Sequence, residues 1–145
     1  MRDSSAVVRI LVVDDHEQFR GFVRAKLQER PNFQVIAEAS DGLEAIERAE
    51  ELKPDLILLD IGMPTVNGIE AARGISRVVP DAKILFVSQN RDPDVVAAAL
   101  SGAEAYVHKL DVAKDLRPAV EAVLRGEQFI SAGISQCIEE SLHSD

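Results

Sequence analysis

Residues 7–27 read VVRILVVDDHEQFRGFVRAKL, and this stretch decides the fold. Its first part is almost continuously aliphatic and ends at two acids, Asp14 and Asp15, which is typical of a strand covered on both faces of a sheet. After the acids, apolar side chains recur at helical spacing as far as Leu27. The stretch therefore predicts a buried strand, a polar turn and an amphipathic helix, which together form one β–α unit of a parallel sheet.

The same unit recurs along the chain. Each further apolar run is short, and each is followed by a helical pattern of apolar residues. The run at 33–39 alternates more between apolar and polar residues than the others do, so we expect it at an edge of the sheet. We therefore predict an α/β fold with five β–α units and a doubly wound parallel sheet. The five predicted strands are 7–13, 33–39, 56–59, 84–87 and 105–107.

The last predicted helix and the residues after it are less regular. Proline is tolerated in the first turn of a helix but costs about 3 kcal/mol in its interior. Because of Pro118, we place the start of this helix near Lys114 or Asp115. After Gly126 the periodicity fades, and Ser, Glu and Gly collect. We therefore assign residues 1–126 to one folded domain and residues 127–145 to a C-terminal tail or truncated linker.

Length and charge narrow the class of protein. A chain of 145 residues is expected to form one ordinary domain. The net charge of −9 repels polyanions and no cluster of Lys and Arg is present, so we expect no direct binding of this chain to nucleic acid. No apolar run suggests a signal peptide or a membrane span, and the single Cys permits no internal disulfide. These features favour a cytoplasmic location without a membrane partner.

Polar residues that follow the predicted strands are expected to meet at one place. The carboxyl ends of parallel strands lie along one edge of an open sheet, and such sheets bind ligands there. At this edge the chain would gather three acids, one hydroxyl and one amine, a set that suits a divalent cation and a phosphoryl group. These residues are Asp14, Asp15, Asp60, Ser88 and Lys109.

The residue types predict a role for each member of this pocket. Three converging carboxylates repel one another unless a cation compensates their charge, and Mg²⁺ accepts carboxylate and carbonyl oxygens. We expect Asp15 and Asp60 to bind Mg²⁺ directly and Asp14 to act through a water molecule. The backbone carbonyl of Gly62 is a further expected ligand. Asp60, alone at the end of the central strand, is the expected nucleophile toward phosphorus, with Lys109 neutralising charge on the transferred group.

Several of these residues also match the pattern of a known family. The matching residues are Asp14-Asp15, Asp60 followed by Met63-Pro64 and Gly68, then Ser88, and Gly102-Ala103 leading to Tyr106 and Lys109. In this pattern the chain resembles the CheY-like receiver domain of two-component response regulators over about residues 7–126. Gly126-Glu127 and the residues that follow resemble the linker of LuxR-type transcription regulators.

The resemblance implies a flavodoxin-like sheet with strand order 2-1-3-4-5. It also implies that Asp60 takes a phosphoryl group from the phosphohistidine of a sensor histidine kinase or a phosphotransfer protein. Ser88 and Tyr106 would report the phosphorylated state to a surface formed by helix 4, strand 5 and helix 5. That surface would contact an effector domain, a partner protein or, after phosphorylation, a second copy of the chain. Such a domain signals without turning over a substrate.

Three alternatives stay open at this point. A phosphatase of the haloacid-dehalogenase type needs Asp-x-Asp after the first strand, where this chain has Asp14, Asp15 and His16. A nucleotide-binding α/β domain needs a glycine-rich phosphate loop, and the sequence has none. An unphosphorylated pseudo-receiver would act as an interaction module alone. We interpret His16 as an exposed residue outside the site, and His108 as facing outward from the end of a strand.

Overall fold

The computed structural model describes residues 6–143. Within them, six strands form one sheet in the order β2-β1-β3-β4-β5-β6, and all neighbouring strands run parallel. The predicted α/β class and the order 2-1-3-4-5 are confirmed, with a sixth strand added beyond β5. The strands are β1 (Val8–Val13), β2 (Phe33–Ala39), β3 (Leu56–Leu59), β4 (Lys83–Ser88), β5 (Ala105–His108) and β6 (Phe129–Ile130).

Helices cover both faces of this sheet and enclose two apolar cores. Helices α2, α3, α4 and α6 pack on one face, and α1 and α5 pack on the other. The central strand β3 is buried at every residue, as its uninterrupted Leu-Ile-Leu-Leu sequence predicts. Strand β2 lies at an edge, where its alternating sequence placed it. The helices are α1 (Glu17–Leu27), α2 (Gly42–Leu52), α3 (Gly68–Val78), α4 (Pro93–Leu100), α5 (Val112–Leu124) and α6 (Ala132–His143).

The predicted start of the last β–α unit's helix is wrong. Helix α5 begins at Val112, directly after a 3₁₀ turn at Lys109–Asp111, so Pro118 lies inside the helix. Val112 and Leu116 lie one helical turn apart and are both buried against the sheet. Burial of such side chains contributes about 1.5–3 kcal/mol each, enough to offset the cost of an interior proline.

The interpretation of residues 127–145 as a tail also needs correction, because β6 and α6 lie within them. Strand β6 pairs with β5, and the side chain of Ile134 in α6 is 0% exposed. An open edge at β5 would leave its backbone groups unpaired, and β6 satisfies some of them. His108 is buried rather than outward-facing, since β6 and α6 cover this end of β5. Whether the segment continues as a linker stays a prediction.

Among the described residues, every helix is too short or too polar to cross a membrane.

Candidate functional site

The carboxyl ends of β1, β3 and β5 bring two acids and an amine together. Asp14 and Asp60 follow β1 and β3 and are only 2% and 5% exposed. Lys109 follows β5, and its Nζ lies 2.6 Å from Asp14 Oδ2 and 3.5 Å from Asp60 Oδ2. Residues almost a hundred positions apart therefore form one buried ionic cluster, as the order of the strands predicts.

Asp15 and His16 complete the acidic side of this cluster. Asp15 is exposed, and one of its carboxylate oxygens lies 3.1 Å from Nδ1 of His16. The same nitrogen lies 3.0 Å from Asp14 Oδ1, which also accepts the backbone N–H of His16 at 2.8 Å. His16 is exposed, as expected, but the prediction that it lies outside the site is wrong. The ligand atoms of these three residues and Asp60 lie within 4.8 Å of one another.

The burial of Asp60 makes its charge unfavourable. Loss of solvent raises the pKa of the Asp60 carboxyl group, and the neighbouring Asp14 raises it further. Lys109 and the backbone amides of Gly62 and Ile61 oppose this effect and lower the pKa. Desolvation is the largest of these contributions, so the positive charge on Lys109 compensates the buried acid only in part.

The donor set fits a hard divalent cation. Asp14, Asp15 and Asp60 together carry three negative charges when ionised, against one positive charge on Lys109. A dication would balance the remaining two, and carboxylate oxygens are ligands that Mg²⁺ accepts. At Gly62, a side chain would meet no atom within 4 Å, so the turn after Asp60 leaves open space. The placement of the Gly62 carbonyl as a ligand stays a prediction.

Gly68 positions the Asp60 turn, a role that its place in the sequence motif did not reveal. A Cβ atom at Gly68 would lie 2.0 Å from the backbone oxygen of Asp60. The backbone N–H of Gly68 donates to the carbonyl of Ile61 at 2.8 Å. The start of α3 therefore approaches the end of β3 closely, and only glycine fits at this contact.

Phe19 is a second site residue that the sequence did not single out. The Nζ atom of Lys109 lies 4.5 Å from the centre of the Phe19 ring, within the range of a cation–π interaction. The helical stripe of apolar residues in α1 predicted burial of Phe19, but it did not predict contact with a cation. The ring helps to hold the ammonium group beside the two buried acids.

Ser88 and Tyr106 hold the loop between β4 and α4 from two sides. Ser88 Oγ accepts the backbone N–H of Asn90 at 3.1 Å, and the hydroxyl of Tyr106 donates to the carbonyl of Asn90 at 2.6 Å. Tyr106 is 0% exposed, so its ring already occupies the interior. Burial raises the pKa of the Tyr106 hydroxyl, whereas a hydrogen bond with Ser88 lowers it.

Comparison with known proteins places this arrangement in context. A family model described as the response regulator receiver domain matches residues 10–121. Transcriptional regulatory protein DegU of Brevibacillus brevis is 40% identical over 124 residues, which cover 85% of this chain and 52% of that protein. Transcriptional regulatory protein LiaR of Bacillus subtilis (strain 168) is 37% identical over 130 residues, covering 89% of this chain and 62% of that protein. The chain therefore spans less than two thirds of either relative.

A solved structure shows the same likeness in three dimensions. The crystal structure of a two-component response regulator of the LuxR family from Aurantimonas sp. SI85-9A1 superposes with a TM-score of 0.90 at 34% sequence identity. The match covers 96% of this chain and 100% of that one.

Proposed function

The chain belongs to the response regulator receiver domain family, and on that premise we propose that Asp60 is its phosphoacceptor. The observation that carries this proposal is the position of Asp60. Its carboxylate is buried at the end of the central strand, within 3.5 Å of a cation and beside an open turn at Gly62.

The proposed reaction is a transfer of a phosphoryl group between two side chains. A carboxylate oxygen of Asp60 attacks the phosphorus of a phosphohistidine on a kinase or phosphotransfer protein. The new bond joins phosphorus to Oδ of Asp60, while the bond between phosphorus and the imidazole nitrogen breaks and its electron pair returns to the imidazole. The product is an aspartyl phosphate on this chain, which modifies itself and turns over no separate substrate.

Lys109 is placed to act on the transferred group. Its ammonium group lies between two buried acids and over the Phe19 ring, so its position is restrained before the phosphoryl group arrives. The ammonium is within reach of new oxygens on Asp60 and would neutralise part of their charge. We propose Asp14, Asp15 and Asp60 as the residues that hold Mg²⁺. A bound Mg²⁺ ion would supply further charge neutralisation at the phosphoryl oxygens.

Phosphorylation of Asp60 would change the hydrogen bonds that hold the backbone of Asn90. A phosphoryl group on Asp60 is expected to attract the Ser88 hydroxyl through a charge-assisted hydrogen bond. Ser88 would then release the backbone N–H of Asn90, while Tyr106 still holds the carbonyl of the same residue. The loop before α4 would therefore change conformation while the buried ring of Tyr106 stays in place.

The proposed partners rest on the family of the chain and on the greater length of its relatives. Receiver domains of such regulators interact with histidine kinases and effector domains, and we propose both kinds of partner here. The relatives named above are longer than this chain, so we propose that an effector domain follows it in the whole protein. Because β5 is buried and pairs with β6, the proposed output surface consists of the exposed sides of α4, α5 and α6, and phosphorylation would favour a homodimer. We propose that the phosphoryl transfer to Asp60 takes place in the cytoplasm.

The phosphoacceptor assignment is tested with Mg²⁺ and a small acyl-phosphate donor. We expect the intact mass of the wild-type protein to rise by one phosphoryl group. Asp60→Asn should show no such gain, because its amide cannot attack phosphorus, whereas the exposed control Asp81→Asn should react like the wild type. A wild type that gains no mass, or an Asp60→Asn variant that does, would overturn the proposal and favour a pseudo-receiver or another acceptor.

A further inference from the structure

A groove between α3 and α4 combines an apolar lining with two arginines. Helix α3 packs closely against α2, and no comparably close packing joins α3 to α4 among residues 6–143. The opening between α3 and α4 has a volume of about 360 Å³, which is within the range of pockets that hold small molecules. We propose that this groove binds a small phosphate monoester with an apolar body. This inference goes beyond the proposed function and does not depend on it.

The two cations of the groove are Arg73 and Arg77, which lie one helical turn apart on α3. Both are exposed, and neither makes a hydrogen bond or an ion pair with any residue in the range that the structure describes. Side chains four residues apart on a helix are neighbours, so both guanidinium groups can reach one anion. None of the described residues that line the groove is acidic. In a chain with a net charge of −9, this concave site therefore favours an anionic ligand.

The charge and shape of a phosphate monoester match these arginines. A phosphate monoester carries a charge of about −1.5 to −2 at neutral pH, against two positive charges on Arg73 and Arg77. A guanidinium group donates two parallel hydrogen bonds to phosphate oxygens. Ser76, which lies between the two arginines in the sequence, also lines the groove and adds a hydroxyl donor. A single carboxylate would compensate only one of the two cations.

The apolar lining indicates that the ligand is more than a bare phosphate. Ile69 and Ala98 are half-buried side chains on opposite walls, so apolar surface of the groove remains in contact with water. The ring of Phe86 also lines the groove, is 0% exposed and lies 6.2 Å from the ring of Tyr106, measured between centroids. These groups form no hydrogen bonds with a ligand through their side chains. An apolar body attached to the phosphate would bury their surface and gain affinity.

The carboxyl end of α4, which also borders the groove, does not present a row of unpaired carbonyls to an anion. Such carbonyls carry the partial negative charge of a helix C-terminus. The backbone N–H of Ser101 donates to the carbonyl of Ala97 at 3.1 Å, and its Oγ donates to the carbonyl of Ala98 at 2.7 Å. The N–H of Gly102 donates to the carbonyl of Ala99 at 3.2 Å. This negative charge is therefore partly compensated before a ligand arrives.

A second groove, between α1 and α5, shows why unpaired arginines matter. It has a volume of about 260 Å³, and its lining includes Arg30 and Arg117. Arg30 lies 2.8 Å from a carboxylate oxygen of Glu121, and Arg117 lies 3.1 Å from one of Glu29. An anion would have to compete with these acids for the same guanidinium groups. We therefore expect the phosphate monoester in the groove between α3 and α4 rather than here.

The binding test is an NMR titration of ¹⁵N-labelled protein with phenyl phosphate in the absence of Mg²⁺. We expect backbone amide signals of α3 and of Ser101 and Gly102 to shift, with a dissociation constant in the low millimolar range or below. Inorganic phosphate should bind at least about fivefold more weakly because it lacks an apolar body, and phenol should not bind detectably. Shifts confined to α1 and α5, or equal affinities for phenyl phosphate and inorganic phosphate, would overturn the inference.

Arginine variants test the role of the two guanidinium groups. Arg73→Gln and Arg77→Gln should each raise the dissociation constant of phenyl phosphate about tenfold, the loss expected for a hydrogen bond to a charged group. Arg73→Lys should recover part of this loss, since it keeps the charge without the planar fork. The matched control Arg117→Gln removes the same charge from the other groove and should change the constant by less than about twofold. An equal loss in Arg117→Gln would show that affinity follows net charge alone, and the proposed site would be wrong.

Two further variants separate the groove from the rest of the molecule. Ala98→Leu leaves the charge unchanged but fills part of the groove, so it should weaken phenyl phosphate binding while far-ultraviolet circular dichroism confirms the fold. Wild-type affinity in this variant would contradict the inference. Asp60→Asn should bind phenyl phosphate like the wild type, because the groove and the acidic cluster share no residue. A failure to phosphorylate Asp60 would therefore leave this inference standing, whereas loss of binding in Asp60→Asn would place the ligand at the acidic cluster and overturn it.

Discussion

Two regions at the same end of the sheet bury polar groups in opposite ways. The ionic site gathers Asp14, Asp60 and Lys109, and the acids there outnumber the cation. The second region is the C-terminal segment, residues 127–143, which contains β6 and α6. There Ser131 Oγ accepts the backbone N–H of His108 at 3.1 Å and donates to Asp115 Oδ2 at 2.8 Å.

The difference separates polar burial that stabilises the fold from polar burial that serves a ligand. In the C-terminal segment the buried hydroxyl has both an acceptor and a donor as partners, and Asp115 gains a hydrogen bond in return. At the ionic site, desolvation raises the pKa of Asp60 in spite of Lys109, so an unfavourable charge remains. We infer that the first region contributes to stability, and that the second is stabilised only when it binds a cation or a phosphoryl group.

The largest predicted effect tests whether the C-terminal segment belongs to the fold. Ile134→Ala should lower the free energy of unfolding by about 3 kcal/mol, because it leaves a cavity in the core that Ile134 shares with Tyr106. The free energy of unfolding is measured by urea unfolding followed by far-ultraviolet circular dichroism, because the chain has no Trp whose fluorescence could be followed.

The matched control for this change is Leu142→Ala, also in α6 but with a side chain that is largely exposed. It should change the unfolding free energy by less than about 0.5 kcal/mol, as surface substitutions usually do. A cost at Ile134 no larger than at Leu142 would mean that α6 is not docked in solution, and the contrast between the regions would then disappear.

A smaller effect is predicted for the buried hydroxyl. Ser131→Ala should cost about 2 kcal/mol, because it leaves the carboxylate of Asp115 and the N–H of His108 without their partner. Urea unfolding of Ser131→Ala beside Ser76→Ala, a change at an exposed serine of α3, isolates the contribution of burial.

A double-mutant cycle sharpens this test. If the hydrogen bond carries the effect, Ser131→Ala should cost clearly less in an Asp115→Ala background than in the wild type. Equal costs in both backgrounds would show that packing of the small side chain, rather than the link to Asp115, stabilises the segment.

The sequence predicted the ionic site better than the C-terminal segment, for a physical reason. Long apolar runs fix where strands end, and parallel order brings those ends to one edge, so the order of residues along the chain was enough to group Asp14, Asp60 and Lys109. Strand β6 has only two residues, and its pairing depends on the edge that β5 offers. Ile130, Ile134 and Ile138 recur every four residues, but the Ser and Gly between them weakened this signal.

Contacts that depend on how a side chain is rotated could not be predicted from the sequence either. The contact of His16 with the acids follows from a tight turn in which its own N–H binds Asp14. The inward position of Tyr106 depends on a backbone carbonyl at Asn90, sixteen residues away. Spacing places such residues on an element, whereas the partner of the side chain is set by tertiary packing.

The smallest predicted effect has the opposite sign and belongs to the ionic site. Asp60→Asn should stabilise the metal-free protein near neutral pH by roughly 1 kcal/mol, because it removes a buried charge that is costly to desolvate. The amide oxygen of Asn can still accept from the backbone amides of Gly62 and Ile61. Lys109 also keeps its ion pair with Asp14 at 2.6 Å. Unfolding midpoints without metal measure the gain, and the exposed Asp81→Asn is the control.

The pH dependence of the stability difference between the wild type and Asp60→Asn identifies the cause of the predicted gain. Burial raises the pKa of Asp60 in the folded protein, so between the unfolded and folded pKa values the folded state binds more protons than the unfolded chain. Wild-type stability should therefore fall, relative to Asp60→Asn, as the pH rises through this window, and the difference should then stay constant. Added Mg²⁺ should stabilise the wild type more than the variant. A variant that is less stable than the wild type at neutral pH without metal would show that Asp60 is already compensated, and that the two regions bury polar groups alike.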